Sequence, residues 1–112
     1  MSQTSELVTI AQVDDIPPGH AARTEVAGRP IAIFNVDGEF HALDDTCSHA
    51  EAALSEGDLD LGACSVECPL HGSAFDLRTG EPLTLPAVQP VAVHRVEVED
   101  GVIRVALAEE EW

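Results

Sequence analysis

Two Asp-Gly pairs, Asp37-Gly38 and Asp100-Gly101, set the tightest limit on what this chain can fold into. Each sits between short runs rich in β-branched residues. A two-residue loop of this kind needs positive φ, which glycine adopts without strain, and its twist matches that of paired strands. Ile31–Val36 and Glu39–Leu43 therefore predict one antiparallel hairpin, and Val91–Val98 with Val102–Leu107 predict a second, entered through Glu99. Leu7–Val13 reads as a strand that stops at Asp14-Asp15-Ile16-Pro17-Pro18-Gly19, and Ala21–Ala27 reads as another, divided from the next by Gly28-Arg29. No stretch reads as a long helix. The expected fold is all-β, an antiparallel sandwich or barrel built from both ends of the chain.

Between the hairpins the composition changes. Residues 44–88 are rich in Cys, His, Gly and Pro, and Pro82, Pro86 and Pro90 make 81–90 a stiff loop rather than an interior strand. At 112 residues the chain is expected to form one domain, 1–112, with 44–88 as a loop-rich insert. Only 4% of it is aromatic, so the core rests on Val, Ile, Leu and Ala, and a bound metal centre would supply stability that such a core lacks.

Charge narrows the partners. Twenty-one acidic residues face five basic ones, all Arg, for a net charge of −16. Nucleic acid and anionic membrane both demand a positive surface and are excluded; a partner protein with a basic docking surface is favoured. Three Cys suit metal ligands and one spare thiol better than a disulfide scaffold. No run approaches the roughly 20 apolar residues of a membrane span, and the N-terminal residues have no signal-peptide pattern, so a cytoplasmic, reducing location is expected.

Two short pairs carry the chemistry: Cys47-Ser48-His49 and Cys68-Pro69-Leu70-His71, with eighteen residues between them. Each brings one thiolate and one imidazole close together, which lowers the entropy of assembling a four-ligand site. Zinc accepts such a donor set in a closed tetrahedron. So does a [2Fe–2S] cluster in which two Cys hold one iron and two His the other. Zinc sites usually pair like with like at longer spacing, whereas mixed pairs let each loop reach both irons.

Cys47-x-His49 … Cys68-Pro69-Leu70-His71-Gly72 strongly resembles the Rieske motif, and in particular the Rieske ferredoxins of bacterial ring-hydroxylating oxygenase systems. Leu54-Ser55-Glu56-Gly57, Phe75–Glu81 and Val91–Val96 resemble further segments of those ferredoxins, so the likeness covers nearly the whole chain. It implies a Rieske-like β-sandwich or barrel with a cluster-binding subdomain at about 44–88. It also implies one [2Fe–2S] cluster, with Cys47 and Cys68 on the buried iron and His49 and His71 on the outer one. Free ring nitrogens on those histidines would make the midpoint potential fall with pH. Ser48 and Leu70 stand where respiratory Rieske proteins carry an extra, disulfide-forming Cys, and the chain has no Tyr. Fewer donors to the cluster place the expected potential at the low end of the Rieske range. The long gap between the pairs is expected to be absorbed by an exposed turn at Asp58-Leu59-Asp60-Leu61.

Other candidates have plainer readings. Cys64, in register with Val66 and Cys68 on an expected strand, reads as a small buried thiol. His20, His41 and His94 read as surface or strand histidines. Ser73 is either a donor to a cluster sulfur or a turn hydroxyl, and Pro86 belongs to a loop that the resemblance would place over the cluster. No catalytic constellation is present, which favours electron carriage over catalysis; the resemblance implies carriage from an NAD(P)H-dependent flavin reductase to a terminal non-haem iron oxygenase, with no small-molecule substrate. An accessory protein of iron–sulfur assembly or redox sensing, and a structural zinc domain for protein interaction, are the competing readings. The small subunit of nitrite reductase resembles this fold too, but often lacks the ligands.

Overall fold

A computed structural model describes residues 7–46, 52–69, 73–84 and 90–107. Nine strands occur among them: β1 (Val8–Gln12), β2 (Ala21–Val26), β3 (Arg29–Val36), β4 (Glu39–Asp44), β5 (Asp58–Asp60), β6 (Ser65–Glu67), β7 (Ala74–Asp76), β8 (Val93–Glu99) and β9 (Val102–Ala106). Six form an antiparallel, nearly closed sheet in the order β1-β9-β8-β4-β3-β2, and β5-β6-β7 form a small second sheet. The all-β expectation holds.

Both Asp-Gly turns form as the sequence predicts. Asp37 and Gly38 take φ of 53° and 94°, and Val36 pairs with Glu39 across them. Asp100 and Gly101 take 54° and 75°, with Glu99 opposite Val102. A third turn differs by one residue from expectation: Val26 pairs with Arg29, so the loop is Ala27-Gly28 rather than Gly28-Arg29. Ala27 accepts a φ of 55° there, a conformation its side chain does not favour and its identity does not announce.

The run Ile31–Val36 is buried along its whole length because β3 has a core on each face. Ile31 and Ile33 point into the barrel with Ile16, Val26, Ala42, Ile103 and Val105. Ala32, Phe34 and Val36 point the other way, onto Leu43, Leu54, Val66, Phe75 and Leu77. The second cluster is what holds β5, β6 and β7 on the large sheet. Alternation of β3 between two cores gives the continuous apolar pattern usual for a strand covered on both sides.

Two expectations in the insert are corrected. Asp58–Asp60 is strand β5, paired with β6 through Asp58↔Glu67 and Asp60↔Ser65; the turn begins only at Leu61. Leu59 tucks under the small sheet against the apolar cluster, so alternate pleating keeps Asp58 and Asp60 outside. Cys64 lies in that turn with a φ of 53°, not on a strand, although it is buried beside Val66 and Cys68 as the sequence suggested.

Candidate metal centre

The first ligand pair belongs to a loop whose base is firmly built. Asp45 is 2% exposed and accounts for most of that base. Its carbonyl accepts the Leu54 N–H at 2.7 Å and its Oδ1 accepts the Ser55 N–H at 2.8 Å. Its Oδ2 meets Arg23 Nε at 2.8 Å, and its own N–H donates to the Pro30 carbonyl at 3.1 Å. Thr46 and Ala53 then close the loop by an isolated antiparallel bridge. A buried carboxylate is tolerated here because each oxygen has a partner.

The segment of the second pair is tied at its two ends. Cys68 follows β6 directly, is 1% exposed, and donates its N–H to the Ser73 carbonyl at 2.7 Å. Ser73 has no exposed surface, so its hydroxyl is enclosed and is not an ordinary solvent-facing turn group. The two bases are pressed together. A Cβ built on Gly57 would lie 2.0 Å from the Glu67 carbonyl oxygen, immediately before Cys68, and Leu54 and Cys68 share one buried cluster. The sequence thus brings together two segments separated by the whole of β5 and β6.

The ends of the proline-containing segment also reach this region. Leu83 donates to the Ala74 carbonyl at 2.7 Å, and Thr84 Oγ1 accepts the Ala74 N–H at 2.8 Å. Val91 returns by donating to the Gly80 carbonyl at 2.8 Å, where Gly80 takes a φ of +77° and a Cβ would meet the Val91 oxygen at 2.1 Å. Pro86 lies outside the described residues, as do Cys47, Ser48, His49, Leu70 and His71.

Of the four candidate ligands, the structure therefore locates Cys68. It is buried, outside any disulfide, and tied through its N–H to the Ser73 carbonyl. The donor set of two thiolates and two imidazoles, carried on two loops with adjoining bases, fits a Rieske cluster. Among the described residues no other group of three His, Cys, Asp or Glu could hold a metal ion.

The remaining candidates separate cleanly. His20 is exposed. Cys64 Sγ lies 3.8 Å from His41 Nε2, which in turn is 3.1 Å from Glu39 Oε1. Burial pushes the Cys64 thiol up, which favours its protonated form. His94 is 3% exposed, and its Nε2 lies 2.8 Å from Asp44 Oδ1. Asp44 also pairs with Arg29 through Nε at 2.9 Å and Nη2 at 3.2 Å. Burial alone would raise the Asp44 carboxyl, but the His94 hydrogen bond and the Arg29 guanidinium outweigh it and hold it below its ordinary value. Sequence reading missed this trio and the Arg23–Asp45 pair, because the partners lie 15 to 50 residues apart and share no local pattern.

A β scaffold with a small three-stranded insert and two ligand loops defines an iron–sulfur electron-transfer domain, and the chain belongs to the Rieske [2Fe–2S] domain family, whose profile matches residues 6–96. The family's cofactor is one [2Fe–2S] cluster per domain. The chain is similar to the ferredoxin subunit of 3-phenylpropionate/cinnamic acid dioxygenase from Photorhabdus laumondii, 46% identical over 102 residues, covering 91% of this chain and 95% of that one. Its fold matches the ferredoxin of carbazole 1,9a-dioxygenase from Nocardioides aromaticivorans IC177 with a TM-score of 0.89 and 36% identity, covering 93% of this chain and 100% of that one. A ferredoxin solved in complex with the oxygenase of carbazole 1,9a-dioxygenase matches with a TM-score of 0.85 and 38% identity, covering 96% and 100%. Such ferredoxins are electron-transfer components rather than catalytic subunits.

Proposed function

We propose that this chain is the ferredoxin of a ring-hydroxylating oxygenase system, taking single electrons from an NAD(P)H-dependent flavin reductase and passing them to a terminal non-haem iron oxygenase. The observation that carries this reading is the 46% identity to a dioxygenase ferredoxin subunit over nearly the full length of both chains. In this reading residues 1–112 form one Rieske domain, with 44–88 as its cluster-binding part. Cys47 and Cys68 hold the inner iron, and His49 and His71 hold the outer one. The cluster, when bound, supplies a one-electron redox centre. The chain's own residues fix the bases of the ligand loops through Asp45, Ser73 and the Gly57–Glu67 contact, and exclude water around Cys68.

The net charge of −16 supports basic docking surfaces on both partners and steering at long range. Among the described residues no helix is long and apolar enough to cross a membrane. A cytoplasmic location, with NAD(P)H at hand, accords with the proposed electron donor.

Purified protein tests the reading directly. Iron analysis with a visible spectrum separates a red-brown [2Fe–2S] protein from a colourless zinc protein. Stopped-flow reduction of the terminal oxygenase of a 3-phenylpropionate/cinnamic acid dioxygenase system then measures carriage. The expected second-order rate falls as salt rises, because surface charges beyond about 8–10 Å are screened near physiological ionic strength. A zinc-loaded protein, or a cluster that never reduces the oxygenase, would defeat the proposal.

A further inference from the structure

The outer face of the small sheet carries an acidic hollow. Asp58 and Asp60 on β5 pair with Glu67 and Ser65 on β6, and Glu67 pairs with Ala74 on β7, so these side chains share one face of the pleat. Asp58, Asp60, Ser65 and Glu67, together with Leu59, Leu61 and Ala74, line a cavity of about 380 Å3. That is the small end of the roughly 300–1,000 Å3 spanned by ligand pockets. Asp58 and Glu67 stand directly opposite each other, an arrangement of like charge that weakens a strand pair.

Among the described residues no cationic side chain forms an ion pair with it. The sequence contains no Lys or Arg between Arg29 and Arg78, and among the described residues Asp58, Asp60 and Glu67 make no ion pair. The four arginines that do pair with acids, Arg23, Arg29, Arg95 and Arg104, lie on the six-stranded sheet. A second observation is independent of charge. Ser65 is 6% exposed, sits within the hollow, and its hydroxyl has no hydrogen-bond partner among the described residues. A buried hydroxyl of this kind lacks the partner that such groups normally have.

Among the described residues no group of three His, Cys, Asp or Glu could hold a metal ion, these three carboxylates included. A spread of negative charge around a buried acceptor fits an extended cationic group with several donors, as at the tip of an arginine or lysine side chain. Asp60 Oδ1 already accepts the Ala63 N–H at 3.1 Å, leaving its second oxygen for an incoming donor. The hollow also flanks the second ligand loop, since Glu67 immediately precedes Cys68 and Ala74 immediately follows Ser73. A protein seated on it is held beside the segment that carries Cys68.

We infer that this hollow receives an arginine or lysine side chain of the terminal oxygenase, and so fixes the orientation in which the two proteins exchange an electron. The inference rests on the carrier role proposed above. Its test compares two holo-protein triple variants with the same net charge. Asp58→Asn, Asp60→Asn and Glu67→Gln empty the hollow of charge, whereas Asp14→Asn, Asp37→Asn and Asp100→Asn remove three exposed charges elsewhere. Asn retains the Asp60 acceptor and tolerates positive φ at residues 37 and 100.

Affinity for the same oxygenase is measured by titration calorimetry at low ionic strength. Loss of up to three rim pairs predicts a Kd raised about tenfold for the hollow variant, against less than about threefold for the control. Ser65→Ala is expected to weaken binding about threefold with an unchanged melting temperature. Carbodiimide coupling followed by peptide mapping should join Asp58, Asp60 or Glu67 to an oxygenase lysine, or, if the cation is an arginine, leave those acids protected from modification in the complex. Equal losses in the two triple variants overturn the inference, as does protection by the reductase in place of the oxygenase. Reduction of the oxygenase by the unaltered protein is recorded in the same series. If that fails, the carrier role fails and the hollow's role with it; if it succeeds while the triple variants match, only the hollow is lost.

Discussion

Replacing Gly57 by Ala tests the contact that joins the two ligand loops. Gly57 has a φ of −84°, which alanine adopts without strain, so backbone conformation alone favours the change by about 0.4–1 kcal/mol through the unfolded chain. The contact predicts the opposite sign. The new Cβ would lie 2.0 Å from the Glu67 carbonyl oxygen and 3.0 Å from its carbon. Relief to an ordinary carbon–oxygen separation needs a shift of roughly 1.3 Å. Both neighbours are backbone, and Glu67 is tied into β6 between β5 and β7, so neither can rotate away as a side chain would. Overpacking of this kind costs about 1–3 kcal/mol, or roughly 5–15 °C in melting temperature for a domain of this size.

The same displacement moves Cys68 away from the first loop, by far more than the roughly 0.2 Å that ligand distances tolerate. Gly57→Ala should therefore lower both the melting temperature and the iron content per chain after reconstitution. Gly62→Ala is the control, because its Cβ would meet Asp60 Oδ1 at an ordinary 3.6 Å. Thermal unfolding and absorbance of the reconstituted proteins read both effects. A Gly57→Ala protein as stable as the parent and fully loaded with iron would show that the two loop bases are not rigidly coupled.

Further outcomes follow from the part-buried Asp44 and the two buried thiols. Asp44 has its carboxyl held low in the folded chain, so its stabilising contribution is complete above its unfolded value near pH 3.9 and is lost as pH falls through the lower folded value. Asp44→Asn should accordingly lower the melting temperature at pH 7 and flatten its decline below about pH 4, measured across an acid pH series; an unchanged acid limb would refute the role. Cys68→Ser should abolish iron binding while Cys64→Ser leaves iron content intact, and in the parent Cys64 should resist alkylation until the protein is unfolded.

Much of the scaffold is legible in the sequence because its signals are local. Asp37-Gly38 and Asp100-Gly101 state their own conformation, and the β-branched runs beside them supply the strands. The small sheet is not legible in this way. Its strands are three residues long, too short for alternation to show, and Asp58-Leu59-Asp60 has the composition of a turn. It is a strand because Leu59 has a buried cluster to enter and β6 has an edge to offer. Cys64 lies in a turn and not on the expected strand for a related reason: a residue at positive φ can still face the same core as its neighbours. At the site, chemistry was legible and support was not. Cys68 stands out by its spacing from His71, whereas Asp45 owes its importance to four partners spread from Arg23 to Ser55.

The order of strands in the large sheet has a consequence for how the protein is made. β1 finds its neighbour only in β9, and β4 meets β8 through two residue pairs, Ala42↔His94 and Leu43↔Val93. All four proposed ligands leave the ribosome before β8 does. A nascent chain halted ahead of residue 93 presents its thiols and imidazoles on a frame missing β8 and β9, with β1 unpaired. Iron captured at that stage would meet half a shelter, and only the closing of the final hairpin gives the cofactor a finished house.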